Sequence, residues 1–388
     1  MNYGPYTELD LSVGWLFGTE PRPDIPQLDP DTDPRRELET VLLEHLERGP
    51  VGVTFSGGRN TGTILAVAQR VARRHGLPDP VPLSLHFGVP ETRKDEEAQA
   101  AAIETLGLSD TWQRIDVNGR AEILGPLARD GLERHSLLFP ANAYWVRPMA
   151  ERLKEVAGDG ELTLMAGHGE AELHSYWPYG PLHQVLARKR RPGRHELRLL
   201  AQAAVPHSMR TRRERRRYGA RSLPWLRPGV IDRLAELSEP VAWVRWDRTL
   251  TFLRARRCES ATQRGYEALA RDTDVRVAFP RLDDRYLGAL IKCGGAGGYG
   301  TREELTERLF GDVLPPALKG RNDKVFYGRV FFGPDTRAFA GRWSGDGLPE
   351  HLVDPGVLRG LWTSERYDWR TAALMQAAWL HDHANGRC

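Results

Sequence analysis

Ser56-Gly57-Gly58 stands between an apolar run, Val51 to Phe55, and the stretch Arg59-Asn60-Thr61-Gly62. Glycines at such a turn let backbone N–H groups approach an anion, and a helix starting there adds the positive end of its dipole. The chemistry expected is phosphate binding. The spacing is neither GxxxxGK nor GxGxxG, so it points to neither a Walker loop nor a dinucleotide turn. Two further segments concentrate reactive side chains. Residues 165–173, MAGHGEAEL, set His168 between Gly167 and Gly169, with Glu170 and Glu172 following. A histidine there could exchange protons near neutral pH. Arg321 and Lys324 stand three apart after Leu314-Pro315-Pro316, and Lys324 is one of only six lysines among 55 basic residues.

The elements that must position these groups alternate. Residues 35–49 carry apolar Leu38, Val41, Leu42 and Leu46 at helical spacing. Strands follow at 51–55, 81–87, 112–117 and 161–167, separated by helical stretches at 63–76, 94–107 and 121–157. The run VGVTF is continuously apolar, which suits a parallel strand buried on both faces. Strands alternating with helices predict an α/β fold of three layers around a mostly parallel sheet, with ligand at the carboxyl ends of the strands. Beyond about 181 the pattern turns mainly helical, with one more strand at 275–279 and a helical tail from about 355. Residues 1–34, rich in Pro and Asp over 20–34, are expected to be an irregular lead-in. Residues 35–335 form the expected main domain and 336–388 its helical tail.

These motifs together resemble the synthetase domain of the asparagine synthetase family, over about residues 38–335. Ser-Gly-Gly after a first strand is similar to that family's pyrophosphate loop (PP-loop), in an adenine nucleotide alpha hydrolase-like fold. The segment 165–173 resembles its fourth-strand loop, and GYGTREELTERLFGDVLPPALKGRNDKVFY (298–327) resembles its C-terminal segment. The stretch VRVAFPRLDDRYLGALI resembles the strand and turn leading into that segment, and LPWLRPG (223–229) is similar to a feature of glutaminase-free relatives such as lasso-peptide cyclases and β-lactam synthetases. The resemblance implies an ATP-dependent, AMP-forming carbon–nitrogen ligase that adenylates a carboxylate for attack by an amine. It implies ATP contacts at Phe55, Ser56, Gly57, Gly58, Asn60, Thr61, Gly167 and Gly169. Lys324 would stabilise pyrophosphate and the acyl-transfer charge, with Arg321 as companion, and His168 would take the proton of the attacking amine. Asp95, Glu96 and Glu97 fall at the family's acidic helix start and are read as N-terminal helix charge. No N-terminal cysteine nucleophile of a glutaminase is present, so the amine is expected from a substrate, free ammonia or a partner.

Two positions depart from the family. Asn60 and Ala171 stand where it carries magnesium aspartates; Glu170 and Glu172 are the expected replacement ligands for Mg2+, a cation that prefers hard anionic oxygens. The alternative expectation is a catalytically silent homologue that binds a nucleotide or peptide as a partner subunit. A tRNA-modifying enzyme with the same loop lacks support from any cysteine motif or RNA-binding module.

Charge is uneven. Residues 188–221 hold 13 Arg or Lys against Glu196 and Glu214, leaving 42 basic and 50 acidic residues elsewhere. This basic insertion predicts either an anionic partner or a solvated arginine-rich segment; nucleic acid is not favoured. Cys258, Cys293 and Cys388 form neither a disulfide framework nor a zinc pattern. No apolar run approaches the roughly 20 residues of a membrane helix, and residues 1–17 lack the basic start of a secretory signal. A cytoplasmic protein is expected.

Overall fold

The computed structural model describes the chain apart from residues 1–2, 27, 30, 169–178, 180–181, 184, 186–190, 192, 238–242, 322–326, 365–366 and 388, and the side chains of 214, 215 and 217–222. Five parallel strands form one sheet: β1 (Val51–Thr54), β2 (Val81–His86), β3 (Gln113–Asp116), β4 (Leu162–Met165) and β5 (Val275–Ala278), in the order β3-β2-β1-β4-β5. The order reverses between β1 and β4, where Val51 is in register with Thr163 and Val53 with Met165. Chain leaving two neighbouring strands in opposite directions opens a crevice at their carboxyl ends.

Side-chain alternation distributes the sheet between two apolar layers. Val51, Val53, Phe55 and Met165 pack with Leu38 and Leu42 of α2 (Pro34–Leu46), Ile64 and Leu65 of α3 (Arg59–Arg74), and Ile103 of α4 (Arg93–Leu106). Leu83, Leu162 and Leu164 pack oppositely, with Val146, Ala150 and Leu153 of the helix Val146–Ala157 and Leu269 of the helix Arg257–Arg271. Each fully buried Leu or Val contributes roughly 1.5–3 kcal/mol relative to exposure. The three-layer α/β expectation therefore holds.

A third core lies outside the sheet. Leu11 and Val13 of a helix α1 (Glu8–Val13), with Leu16, pack with Trp225, Phe339, Trp343, Trp362 and Met375. The irregular lead-in expected over 1–34 thus contains a built element. Thr7 caps α1, its hydroxyl accepting from the Asp10 N–H while the Asp10 carboxylate accepts from the Thr7 N–H. The LPWLRPG motif joins this core: Trp225 is fully buried and its Nε1 donates to the Ser12 carbonyl at 2.7 Å. The basic insertion includes two helices, Arg194–Ala204 and His207–Ser222. Among the described residues no helix is long and apolar enough to cross a membrane.

Candidate functional site

The crevice at the β1/β4 ends is a cavity of about 500 Å³ lined by residues from both sides of the switch point, Thr54 to Ser56 from β1 and Gly167 after β4 among them. The turn is shaped by its own side chains. Ser56 N–H donates to Thr61 Oγ1 at 3.2 Å, and Thr61 Oγ1 donates to the Gly58 carbonyl at 3.3 Å. Gly57 has φ +74°, and a Cβ there would meet the Asp95 carbonyl at 2.8 Å. Only glycine takes that backbone at no cost. At Gly167 a Cβ would stand 2.4 Å from Thr61 Cγ2, so the β4 loop closes against the first turn of α3 because a side chain is missing. Among the described residues no side chain caps α3. Its first N–H groups remain as anion donors.

The second half of the site comes from far along the chain. Arg321 Nη1 donates to the Gly57 carbonyl at 3.1 Å across 264 positions, and its Nη2 pairs with Asp95 Oδ1. Asp95 Oδ2 accepts from the Tyr327 hydroxyl at 3.1 Å. Burial raises the Tyr327 phenol well above its ordinary value, and the Asp95 charge raises it further. Tyr327 is therefore a neutral donor. The reading of Asp95 as ordinary helix charge needs correction: it lines the cavity and binds Arg321. Glu96 pairs with His86 at 2.9 Å and Glu97 with Arg93 at 3.0 Å, each consistent with helix-surface charge.

Two more guanidiniums stand beside the cradle. Arg302, which opens the helix Arg302–Phe310, donates through Nη2 to Asn60 Oδ1. Arg59 is buried, with Nη1 3.7 Å from Glu303 Oε1. Burial lowers both guanidinium pKa values, and for Arg59 the neighbouring Arg302 lowers it further. The opposite wall is apolar: Leu83, Leu85, Val146 and Met149, with Phe87 and Trp145 at a ring separation of 4.8 Å. A flat ring or an aliphatic chain suits that wall, an anion the other.

Of the expected site residues, Phe55, Ser56, Asn60, Thr61, Gly167 and Arg321 meet at the cavity with Gly58, and Gly57 lies beneath it. Gly169, Glu170, Glu172 and Lys324 lie outside the described residues. His168 is placed differently from the rest. Its Nε2 lies 3.1 Å from Glu259 Oε2, and Glu259, fully buried, takes Arg256 Nη2 at 2.8 Å on its other oxygen. Phe279, 6.4 Å from the His168 ring, also packs on Tyr266, which lines the cavity. Arg302, Arg59, Trp145 and Tyr327 were not among the expected site residues. The Thr-Arg at 301–302 was visible in sequence, but its reach to Asn60 spans 242 positions.

A magnesium ion does not fit the described donors. It prefers anionic oxygens, yet Asp95, the one carboxylate among the described lining residues, is engaged by Arg321 and Tyr327, and the Asn60 amide oxygen accepts from Arg302. No group of three possible metal ligands occurs among the described residues.

No protein-family model and no curated protein matches the chain. The site speaks through its own geometry.

Proposed function

We propose that this chain is an ATP-dependent, AMP-forming amide ligase of the asparagine synthetase type, with the PP-loop fold. The observation that carries this reading is the contact of Arg321 with Gly57: two motifs of one resemblance, 264 positions apart, meet at one cavity. The position of that cavity, at a strand-order reversal with a glycine turn and an uncapped helix start, supports a nucleotide phosphate chain as ligand. The apolar wall suits a purine or an apolar substrate.

In this reading a substrate carboxylate oxygen attacks the α-phosphorus of ATP and pyrophosphate leaves. An amine then attacks the acyl carbon, its proton is taken up by a base, and AMP leaves. Lys324 and Arg321 stabilise the leaving anion. His168 is the proposed base, positioned by Glu259 as a carboxylate commonly orients a catalytic histidine. Carboxylate and amine come from a peptide or natural-product substrate, and the protein works in the cytoplasm. A magnesium ion would have to be held by Glu170 and Glu172, because the described donors do not fit one.

The rival reading, a silent homologue that binds nucleotide or peptide as a partner subunit, is favoured by one observation: Asn60 is held by a guanidinium. Pyrophosphate release separates the two. Incubated with ATP and a panel of amino-acid and peptide carboxylates, the ligase should exchange labelled pyrophosphate into ATP. Nucleotide binding without exchange across the panel would favour the silent reading.

A further inference from the structure

The side chain of Arg302 reaches Asn60 on the first turn of α3, and both line the cavity. We propose that Arg302 itself supplies the charge that balances a phosphate chain, so that this site binds nucleotide polyphosphate without a divalent metal. The inference rests on the nucleotide reading above.

Its first support is the way Asn60 holds the guanidinium. An amide oxygen accepts one N–H of Arg302 and fixes its plane, but contributes no negative charge. A carboxylate in that place would neutralise the arginine. The neutral partner leaves a full positive charge lining the cavity, with Nη1 and Nε not engaged by Asn60. The Nε of Arg302 is buried and has no hydrogen-bond partner among the described residues. The terminal Nη groups, not the buried Nε, are the donors that this planar guanidinium offers to paired phosphate oxygens.

The second support is charge balance among the described residues. Arg59, Arg302 and Arg321 all line the cavity, and Asp95, the one carboxylate among the described lining residues, is already held by Arg321. Among the described acids Glu303 pairs with Arg59, at 3.7 Å and with its side chain about half exposed. Behind them Arg281 is wholly buried, and burial pushes its guanidinium down to about 10. Positive charge so concentrated repels a divalent cation and attracts a polyanion. A cradle of backbone N–H groups flanked by two arginines thus performs, with fixed protein charge, the service that a metal ion performs for other phosphate chains.

Binding measured by calorimetry on the full chain, with ATP and with inorganic pyrophosphate as probes, tests this. Wild type should bind ATP with Kd values within about threefold of each other in excess magnesium and in EDTA. Arg302→Met should weaken both probes about tenfold to hundredfold, as expected for lost charge-assisted hydrogen bonds, while adenosine binding changes little. Arg302→Lys, which keeps the charge but not the fork, should fall between. Asn60→Asp should also weaken metal-free binding, because the new carboxylate neutralises the arginine. ATP binding that collapses in EDTA would overturn this inference and leave the nucleotide reading standing, with Glu170 and Glu172 as the remaining metal ligands. Undiminished binding by a folded Arg302→Met would also overturn it. Failure of both ATP and pyrophosphate to bind in either buffer would overturn the nucleotide reading and this inference with it.

Discussion

Asp95 and Arg321 form an ion pair across 226 positions, one on the first turn of α4 and the other at the end of the segment that returns over the phosphate loop. Both side chains are more than four-fifths buried. Removing one partner from such a pair strands the other charge, at about 3 kcal/mol. Asp95→Ala should therefore lower the urea-unfolding free energy by that order. Asp95→Ala combined with Arg321→Ala should cost clearly less than the sum of the two single changes. Additive losses would show that the pair does not couple the loop to the C-terminal segment.

Adjacent glycines of the loop should respond differently. Gly57→Ala places a Cβ at positive φ and 2.8 Å from the Asp95 carbonyl, a strain of about 1–3 kcal/mol. Gly58 has φ −88°, and its added Cβ would come no closer than 3.4 Å, to Ser56 Oγ. Gly58→Ala should keep wild-type stability in the same urea titration. Equal destabilisation at both sites would contradict the loop geometry.

For Lys324 the expectation rests on the resemblance. Lys324→Ala should retain fold and ATP affinity while pyrophosphate exchange falls at least about a hundredfold, the usual scale for one lost electrostatic stabiliser. Unchanged exchange would remove Lys324 from the reaction.

The basic helices offer a salt test. Leu197, Leu200 and Met209 are exposed among Arg198, Arg212 and Arg213, and among the described residues Arg212 and Arg216 pair with exposed acids, Glu236 and Asp232. If an acidic substrate docks there, KM should rise between about 50 and 300 mM NaCl. The triple variant Arg212→Ser, Arg213→Ser, Arg216→Ser should start at a high KM with little salt dependence. A variant indistinguishable from wild type would make the segment a solvated surface.

Acid should act through His45 of α2. Burial, with Arg48 and Arg276 nearby, depresses its pKa, so the folded protein binds fewer protons there than the unfolded chain. Stability from this group is complete above its unfolded value of about 6.5 and is lost as pH falls through the lower folded value. His45→Asn should flatten the stability profile below about pH 6.5; an unchanged slope would exclude the residue.

The sheet was legible because buried parallel strands are nearly continuously apolar: Val51 to Phe55 and Leu162 to Met165, each broken by a single threonine, advertise themselves, and the glycine turn after β1 marks the crevice. Asp95 was not. An acid on the first turn of a helix has a sufficient local explanation in the dipole, and only a partner 226 positions away reveals its other engagement. Arg302 escaped for the same reason, since Asn60 beside it suggested a lost metal ligand rather than an acceptor for a guanidinium. Helix α1 could have been found. Thr7-x-x-Asp10 is a capping-box pattern, obscured by the prolines and aspartates that follow it.

The packing of α1 with the last helix, Ala372–Ala384, in the core sealed by Trp225 has a consequence for how the protein is born. Leu11 and Leu16 emerge from the ribosome about 360 residues before Met375, which at ordinary elongation rates is roughly 20 to 70 seconds. Until then Leu11 and Leu16 lack the part of their native cover that this helix supplies. The nascent chain therefore carries these apolar side chains partly uncovered until Ala372–Ala384 is made, and a holding chaperone in the cell should bind that stretch during the interval.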